Sequence, residues 1–162
     1  MKILITGGGG FLGARLARTL LSKGQLNGQT ISALMLADQQ APPEDVRSQP
    51  KVHVRTGPLL AQVDELASWQ PEAVFHLASA VSGECEADFD LAMRSNLDST
   101  RALLDALRAA GNKPRLLFSS SVAVYGPDPA HPLPDVVTDD TFTTPQTSYG
   151  AQKLMCEVMV AD

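Results

Sequence analysis

Five short apolar runs recur along the chain, each followed by glycine, proline or polar residues. They are found at Lys2–Thr6, Thr30–Ala37, Val52–Arg55, Ala73–Leu77 and Arg115–Ser119. Most of their residues are apolar without a strict polar alternation, which is the pattern of strands covered on both faces. Each run is therefore predicted to be a strand of a buried, parallel sheet.

Segments with helical spacing of apolar residues separate the runs, at Phe11–Ser22, Leu59–Trp69, Ala87–Ala110 and Ser148–Val160. The long segment Ala87–Ala110 is expected to be one helix, and a stripe that begins at Phe89 is expected to be its core face. Because parallel strands need crossover connections, the alternation predicts an α/β fold, a doubly wound parallel sheet of about five strands. We expect residues 1–162 to form one such domain, with the proline-rich stretch Gly126–Pro145 as a surface loop.

Composition narrows the possible partners. The 162 residues are 44% hydrophobic and carry a formal charge of −5 without a basic block, so no nucleic-acid partner is expected. No apolar run approaches the roughly 20 residues of a membrane span, so no membrane partner is expected. Cys85 and Cys156 lie far apart and outside any metal-binding spacing, which favours reduced thiols and no metal site. The N-terminus lacks the apolar stretch of a signal peptide, so the expected location is cytoplasmic.

A glycine-rich turn follows the first predicted strand with the spacing Gly7-x-x-Gly10-x-x-Gly13. Gly7 permits a tight turn, Gly10 lets the backbone approach a pyrophosphate, and Gly13 lets the helix pack closely on the sheet. The N–H groups of Phe11 and Leu12, at the start of the helix, can then bind phosphate oxygens. This strand–turn–helix context predicts a dinucleotide site of the Rossmann type. The alternative is a glycine-rich turn that binds no ligand.

Asp38 ends the second predicted strand, 25 residues after Gly13. A carboxylate at this place accepts hydrogen bonds from the ribose hydroxyls of adenosine. It also repels a 2′-phosphate, and the following Gln39 and Gln40 supply no arginine to bind one. The sequence therefore favours NAD over NADP as cofactor, and the alternative is a solvated loop carboxylate.

Tyr149 and Lys153 are four residues apart at the start of the last predicted helix, so they share one face of it. An ammonium group near a phenol stabilises the phenolate, which can take a proton from a substrate hydroxyl. The triplet Ser119–Ser121 ends the fifth predicted strand, where α/β sheets bind ligands. A Y-x-x-x-K pair alone occurs often by chance, so its value here depends on the glycine turn, the acid and the serines.

Taken together, these motifs resemble the extended short-chain dehydrogenase/reductase superfamily of NAD-dependent epimerases, dehydratases and dehydrogenases. The resemblance covers the whole chain and includes F-H-L-A-S at 75–79, F-S-S-S-V-A-V-Y-G at 118–126 and S-Y-G-A-Q-K at 148–153. It implies that Ser121 is the catalytic serine, that Tyr149 is the general acid/base, and that Lys153 holds the nicotinamide ribose. It also implies cofactor contacts by Leu59, Ala78, Ser79 and Asn96.

Two details indicate which activity within the superfamily the chain resembles. Dehydratases of the superfamily usually carry Thr-Asp-Glu where this chain has Ser121-Val122-Ala123, which disfavours elimination of water. The run V-S-G-E-C-E-A-D-F-D at 81–90 is similar to NAD-dependent D-erythronate dehydrogenases, which oxidise the C2 hydroxyl of a four-carbon sugar acid. This resemblance implies that Ser82 and Glu84 face the substrate from a loop after the fourth strand. For Glu84 the alternative is a surface acid.

Two departures accompany the resemblance. Superfamily members usually have Gly-Asp after the third strand to meet the adenine amino group. This chain has Gly57-Pro58-Leu59 there, which either leaves adenine recognition to the backbone or weakens it. Members are also much longer, so the region that closes over the substrate is expected to lie outside these residues.

Three functions remain open at this point. The first is oxidation of a small sugar acid with NAD. The second is NAD-dependent epimerisation of a nucleotide sugar by the same three residues, and the third is a truncated NAD-binding module without catalysis. In the superfamily two helices of this part of the chain often form a dimer interface, which implies a homodimer.

Overall fold

The computed structural model describes all 162 residues and divides them into two compact units. The first unit comprises Met1–Ser79 and Ala102–Ser119, and the second comprises Ala80–Arg101 and Ser120–Asp162. No helix in either unit combines the length and the apolarity that crossing a membrane requires.

The first unit is built on a five-stranded sheet whose neighbouring strands are all parallel. The strands are β1 (Lys2–Thr6), β4 (Ala33–Asp38), β5 (Val52–Thr56), β6 (Ala73–His76) and β7 (Arg115–Phe118). Their spatial order is β5-β4-β1-β6-β7, with β1 in the centre and Ile5 opposite both Leu36 and Phe75. The chain thus leaves β1 towards one side of the sheet and later crosses to the other, which confirms the doubly wound arrangement.

Apolar side chains cover both faces of this sheet. Alternate residues of β1 face opposite ways, so Leu4 belongs to one core cluster and Ile3 and Ile5 to the other. On one side α1 (Phe11–Lys23) contributes Ala17 and Leu20. On the other, α3 (Val63–Ser68) and α6 (Ser99–Ala109) supply side chains that include Leu66, Leu103 and Leu107. Burial on both faces explains why the strands read as continuous apolar runs.

The second apolar run, predicted as one strand over Thr30–Ala37, contains parts of two elements. Thr30 belongs to a small antiparallel hairpin of β2 (Gln25–Leu26) and β3 (Gln29–Thr30), and β4 begins only at Ala33. Asn27 and Gly28 form the hairpin turn with φ of 47° and 78°. Asn-Gly is the preferred pair for a two-residue turn with left-handed backbone at both positions.

Two helical segments of the first unit also differ from expectation. The segment predicted as one helix over Leu59–Trp69 consists of a 3₁₀ turn, Leu59–Ala61, followed by α3. A short helix, α2 (Glu44–Arg47), follows Pro43 and belongs to none of the segments predicted as helical. Proline is well tolerated at the start of a helix because its missing N–H has no partner there.

The long helix predicted over Ala87–Ala110 is found as one continuous helical run over 89–109, but a π turn divides it and a separate short helix precedes it. The chain forms α4 (Ser82–Ala87), turns at Asp88, and restarts as α5 (Phe89–Ala92), because the Asp88 carboxylate accepts a hydrogen bond from Leu91 N at 2.8 Å. A π turn over Met93–Asp98 then leads into α6.

The observed course of this segment differs from the prediction in the face that is buried. Phe89, expected in the core, is 58% exposed, whereas Ala92 and Asn96 are buried. It also corrects the expected loop, because Ser82 and Glu84 lie in the first turn of α4.

The last predicted helix is confirmed as α7 (Ser148–Ala161). It begins at Thr147, whose hydroxyl accepts a hydrogen bond from Gly150 N at 3.0 Å. The preceding segment, 126–145, contains no helix or longer strand. Its two ends are joined where the Thr144 hydroxyl donates to the Gly126 carbonyl oxygen at 2.7 Å.

Candidate functional site

The turn after β1 has a backbone that only glycine fits at two places. Gly7 has a φ of +72°, and a Cβ built there would lie 2.8 Å from Ala78 N. A Cβ on Gly13 would overlap the carbonyl oxygen of Gly7. The first and third glycines of the motif therefore allow the turn, the start of α1 and the segment after β6 to approach one another closely.

The N-terminus of α1 is open. Gly10 is its N-cap and offers no side-chain acceptor to the N–H groups of the first turn. Phe11 is 80% exposed and Leu12 is 62% exposed, so their side chains do not bury the N–H groups of that turn. Unpaired N–H groups and the helix dipole together favour an anion at this point, which suits the pyrophosphate of a dinucleotide.

The carboxylate of Asp38 is held beside this turn by two backbone hydrogen bonds. Its Oδ2 accepts from Gly9 N at 2.9 Å and its Oδ1 accepts from Gln40 N at 3.0 Å. Each carboxylate oxygen has a further lone pair for another donor. The position therefore suits the two hydroxyls of an adenosine ribose.

The end of β6 lies next to the end of β1. Thr6 Oγ1 is 2.6 Å from His76 Nδ1 and also accepts from Ala78 N at 3.3 Å. His76 is buried in the packed interior of the first unit. Ala78 is thereby placed against Gly7, with Ser79 following it, where both can line a bound dinucleotide.

The loop after β5 is attached to the end of β4, since Gly57 N donates to the carbonyl oxygen of Asp38 at 2.9 Å. Gly57 has a φ of +141°, which favours glycine. The side chain of Leu59 packs against the core. Pro58 is exposed and has no side-chain acceptor, so this loop offers adenine its backbone.

In the second unit, the expected catalytic residues lie on two neighbouring elements. Ser121 is the N-cap of a 3₁₀ turn, Val122–Val124, and its Oγ accepts a hydrogen bond from Ala123 N at 3.2 Å. Tyr149 and Lys153 lie on α7, with Lys153 Nζ 5.7 Å from the centre of the Tyr149 ring. This distance is within the range at which a cation is attracted to an aromatic face.

Lys153 is almost completely buried, which is unusual for an ammonium group. It is 2% exposed, and burial lowers its pKa, an effect that the nearby thiols of Cys156 and Cys85 partly oppose. Burial also raises the pKa of both thiols. Both cysteines are free and buried.

Asn96 forms a hydrogen-bonded junction between several segments of the second unit. Its Oδ1 accepts from Ala80 N at 2.8 Å, while its Nδ2 donates to Gln152 Oε1 at 3.0 Å and to Cys85 Sγ at 3.2 Å. Its backbone carbonyl oxygen accepts from Thr100 Oγ1 at 2.6 Å. These contacts connect α7 with the segment before α4, so the structure gives Asn96 a supporting position against Gln152, which directly precedes Lys153.

The residues expected to face a substrate differ in what they contact. Glu84 folds back on its own helix, where its Oε2 accepts from Val81 N at 3.0 Å, and Ser82 is exposed. Glu86, which the motifs did not single out, places its carboxylate 3.4 Å from Tyr149 N. Its partner lies 63 residues away, so no local pattern could have identified it.

The structure contains no cluster of three or more His, Cys, Asp or Glu residues that could hold a metal ion.

The fold and these two groups of residues define a nucleotide-binding α/β protein. A family model matches residues 3–162, and the chain belongs to the NAD dependent epimerase/dehydratase family. NAD is therefore the cofactor of its class. The chain is 51% identical, over its whole length, to a D-erythronate dehydrogenase of Cupriavidus necator and 34% identical, over 99% of its length, to a UDP-glucose 4-epimerase of Corynebacterium glutamicum.

A solved structure shows the same fold. A nucleoside-diphosphate-sugar epimerase of Agrobacterium tumefaciens is 40% identical and superposes with a TM-score of 0.91 over all of this chain and 48% of its own. This chain spans 50% of the Cupriavidus protein and 46% of the Corynebacterium protein. The relatives thus contain further residues beyond the matched part.

Proposed function

We propose that this chain is the cofactor-binding and catalytic part of a dehydrogenase that oxidises the C2 hydroxyl of a small sugar acid, such as D-erythronate, with NAD. One observation carries the proposal: Lys153 Nζ lies 5.7 Å from the Tyr149 ring on a helix that contacts the 3₁₀ turn after Ser121, in a chain 51% identical to a D-erythronate dehydrogenase. Identity to the UDP-glucose 4-epimerase is 34%.

The first unit supplies the residues that would hold NAD. The N–H groups at the start of α1 suit its pyrophosphate, and the Asp38 carboxylate suits its adenosine ribose. Ala78 and Ser79 would line the cofactor, and the backbone at Pro58 and Leu59 would meet adenine. When bound, NAD supplies the acceptor for a hydride.

The second unit supplies the groups that move the proton. Tyr149, as phenolate, takes the proton of the C2 hydroxyl while the C2–H electron pair leaves as hydride and a C=O bond forms. Ser121 Oγ accepts a hydrogen bond from Ala123 N, and its own O–H would donate to the substrate oxygen. The ammonium of Lys153 would stabilise the phenolate and would hold the nicotinamide ribose.

The substrate contacts follow from the same unit. Ser82 is exposed at the start of α4 and can donate to a carboxylate or a hydroxyl of a sugar acid. Glu84 repels a carboxylate, so we assign it to substrate hydroxyls.

The assembly we propose is a homodimer. Met155 and Val158 on α7 and Phe89 on α5 leave large apolar side chains exposed within the second unit. Light scattering after size exclusion should give twice the mass of one chain, and a monomer at micromolar concentration would reject this assembly.

A 4-epimerase of nucleotide sugars is the second candidate, because UDP-glucose 4-epimerases are also relatives of this chain. In that reaction the hydride returns to the substrate and no NADH accumulates. An NAD-binding module without catalysis is the third, and it predicts binding without turnover.

NADH formation separates the three candidates. The protein is assayed as its natural gene encodes it, first with D-erythronate and NAD, then with UDP-glucose. The dehydrogenase proposal expects NADH in stoichiometric amounts with the sugar acid. Conversion of UDP-glucose without NADH indicates the epimerase, and NAD binding without either reaction indicates the module.

The variant Tyr149→Phe tests the assignment of the base. We expect NADH formation to fall by about 10² to 10⁴-fold, the usual contribution of general acid–base catalysis, with NAD affinity nearly unchanged. Full activity of this variant would show that Tyr149 is not the base.

A further inference from the structure

Gly150 follows Tyr149 in the first turn of α7, where the helix backbone meets the 3₁₀ turn after Ser121. A Cβ built on Gly150 would overlap the carbonyl oxygen of Ala123 and lie 2.9 Å from its carbonyl carbon. It would also lie 3.1 Å from Pro145 Cβ. The helix therefore rests directly on the backbone of Ala123, and only a residue without a side chain allows this approach.

Ala123 is held on both sides. Its N–H donates to Ser121 Oγ at 3.2 Å, and its carbonyl oxygen lies against Gly150. One residue thus orients the serine hydroxyl and also limits how closely the helix that carries Tyr149 approaches. A displacement of Ala123 moves the serine relative to the tyrosine.

Neither Gly150 nor the 3₁₀ turn that contains Ala123 can move away from the other without losing a hydrogen bond. Gly150 N donates to the Thr147 hydroxyl at 3.0 Å, which fixes the first turn of α7 from the other side. The 3₁₀ turn leads into Gly126, whose carbonyl oxygen accepts from the Thr144 hydroxyl. A side chain at position 150 must disturb one of these attachments.

We propose that Gly150 is a positioning residue that sets the separation of the Ser121 and Tyr149 hydroxyls. The proposal rests on the proposed function, in which both hydroxyls meet one substrate oxygen. It concerns the backbone of Gly150, which touches neither substrate nor cofactor in this role.

The test compares Gly150→Ala with Gly83→Ala in the protein as its natural gene encodes it. Gly83 is also a helical glycine of the second unit, but a Cβ there has no atom within 4 Å. A displacement on the order of 1 Å can lower a rate about 100-fold, so we expect kcat for NADH formation to fall about 10- to 100-fold in Gly150→Ala. The dissociation constant of NADH should stay within about twofold, because the glycine turn is untouched. Gly83→Ala should keep the wild-type kcat.

Thr147 offers a second variant that does not add bulk. Thr147→Ala removes the hydroxyl that holds Gly150 N, at a cost of about 1 kcal/mol to the helix, so the protein should remain folded. We expect kcat to fall several-fold at unchanged NADH affinity, and Thr147→Ser, which retains the hydroxyl, to restore it.

The outcomes are distinct. Wild-type kcat in Gly150→Ala, or a loss of kcat that follows loss of NADH binding or of folded protein, overturns the positioning role. If the wild type forms no NADH with any sugar acid, the proposed function fails, and the amide resonance of Ala123 then decides the inference separately. A shift of that resonance in Gly150→Ala but not in Gly83→Ala supports it, and no shift rejects it.

Discussion

The side chains of Asn96 and Gln152 share a buried hydrogen bond in which Asn96 Nδ2 lies 3.0 Å from Gln152 Oε1. The two residues are 56 positions apart, and Gln152 directly precedes Lys153. Gln152 Nε2 is buried without a partner, so its amide is held by Asn96 alone. The orientation of the lysine-bearing turn of α7 therefore depends on an amide in the π turn.

Replacing Asn96 with alanine should destabilise the protein strongly. It leaves Gln152 Oε1 buried without a donor and removes the acceptor of Ala80 N, and each buried unsatisfied group costs about 1–3 kcal/mol. We expect the free energy of unfolding in urea to fall by about 2–4 kcal/mol. Asn112→Ala is the control, because the Asn112 amide donates one partly buried hydrogen bond, to Pro71 O. Equal losses in both variants would contradict the junction role of Asn96.

Two glycines of the nucleotide turn should respond differently to alanine. A Cβ on Gly10 would lie 3.4 Å from Gly7 O, an ordinary contact, whereas one on Gly13 would overlap that oxygen. Gly10→Ala should therefore melt near the wild-type temperature and yet bind NADH at least tenfold more weakly, because the methyl group occupies the approach of the pyrophosphate. Gly13→Ala should lose both stability and binding. Wild-type NADH affinity in Gly10→Ala would place the pyrophosphate elsewhere.

The preference for NAD should depend on the charge of Asp38. In the double variant Asp38→Ala with Gln39→Arg, the repulsion of a 2′-phosphate is removed and a guanidinium is supplied. We expect the ratio of the dissociation constants for NADPH and NADH to fall at least tenfold. Asp38→Ala alone is the control and should weaken NADH binding without creating tight NADPH binding. An unchanged ratio in the double variant would show that Asp38 does not read the ribose.

The lowered pKa of Lys153 predicts a pH dependence of stability. Between that pKa and the ordinary value of 10.5, the unfolded chain binds more protons than the folded protein, so this residue makes stability rise with pH. The raised pKa values of Cys85 and Cys156 act in the opposite sense above pH 9.0.

Lys153→Met isolates the lysine contribution. We expect the variant to exceed the wild type in unfolding free energy most at neutral pH, and the difference to shrink as the pH approaches 10.5. Urea titrations at several pH values measure this difference. A difference that does not change with pH would show that Lys153 is not desolvated in the folded protein.

The strands and the nucleotide turn could be predicted from sequence because their signals are local. Burial on both faces makes the central strands β1, β4 and β6 short apolar runs, and the glycine spacing of Gly7, Gly10 and Gly13 meets backbone requirements within one turn. The hairpin at Asn27-Gly28 also had a local signal, but Thr30 reads as part of the apolar run that follows.

The division of residues 82–109 into α4, α5, the π turn and α6 could not be predicted in the same way. These residues favour a continuous helix, and the π turn depends on contacts of Asn96 with Cys85 and Gln152. The hydroxyls of Ser99 and Thr100, which bond carbonyl oxygens four residues earlier, are the only local sign of the distortion. Gly150 and Glu86 were likewise missed, because Ala123 and Tyr149, which they contact, are distant in sequence.

The position of β7 at the end of the strand order has a practical consequence. One side of a terminal strand presents backbone N–H and C=O groups that another strand can pair with, and Leu117 of β7 is 51% exposed. In a polypeptide of only these 162 residues, this unpaired edge of β7 would be exposed to solvent. Self-association by strand addition then competes with any measurement on the isolated polypeptide, and a lysine at position 117 would be the simplest way to suppress it.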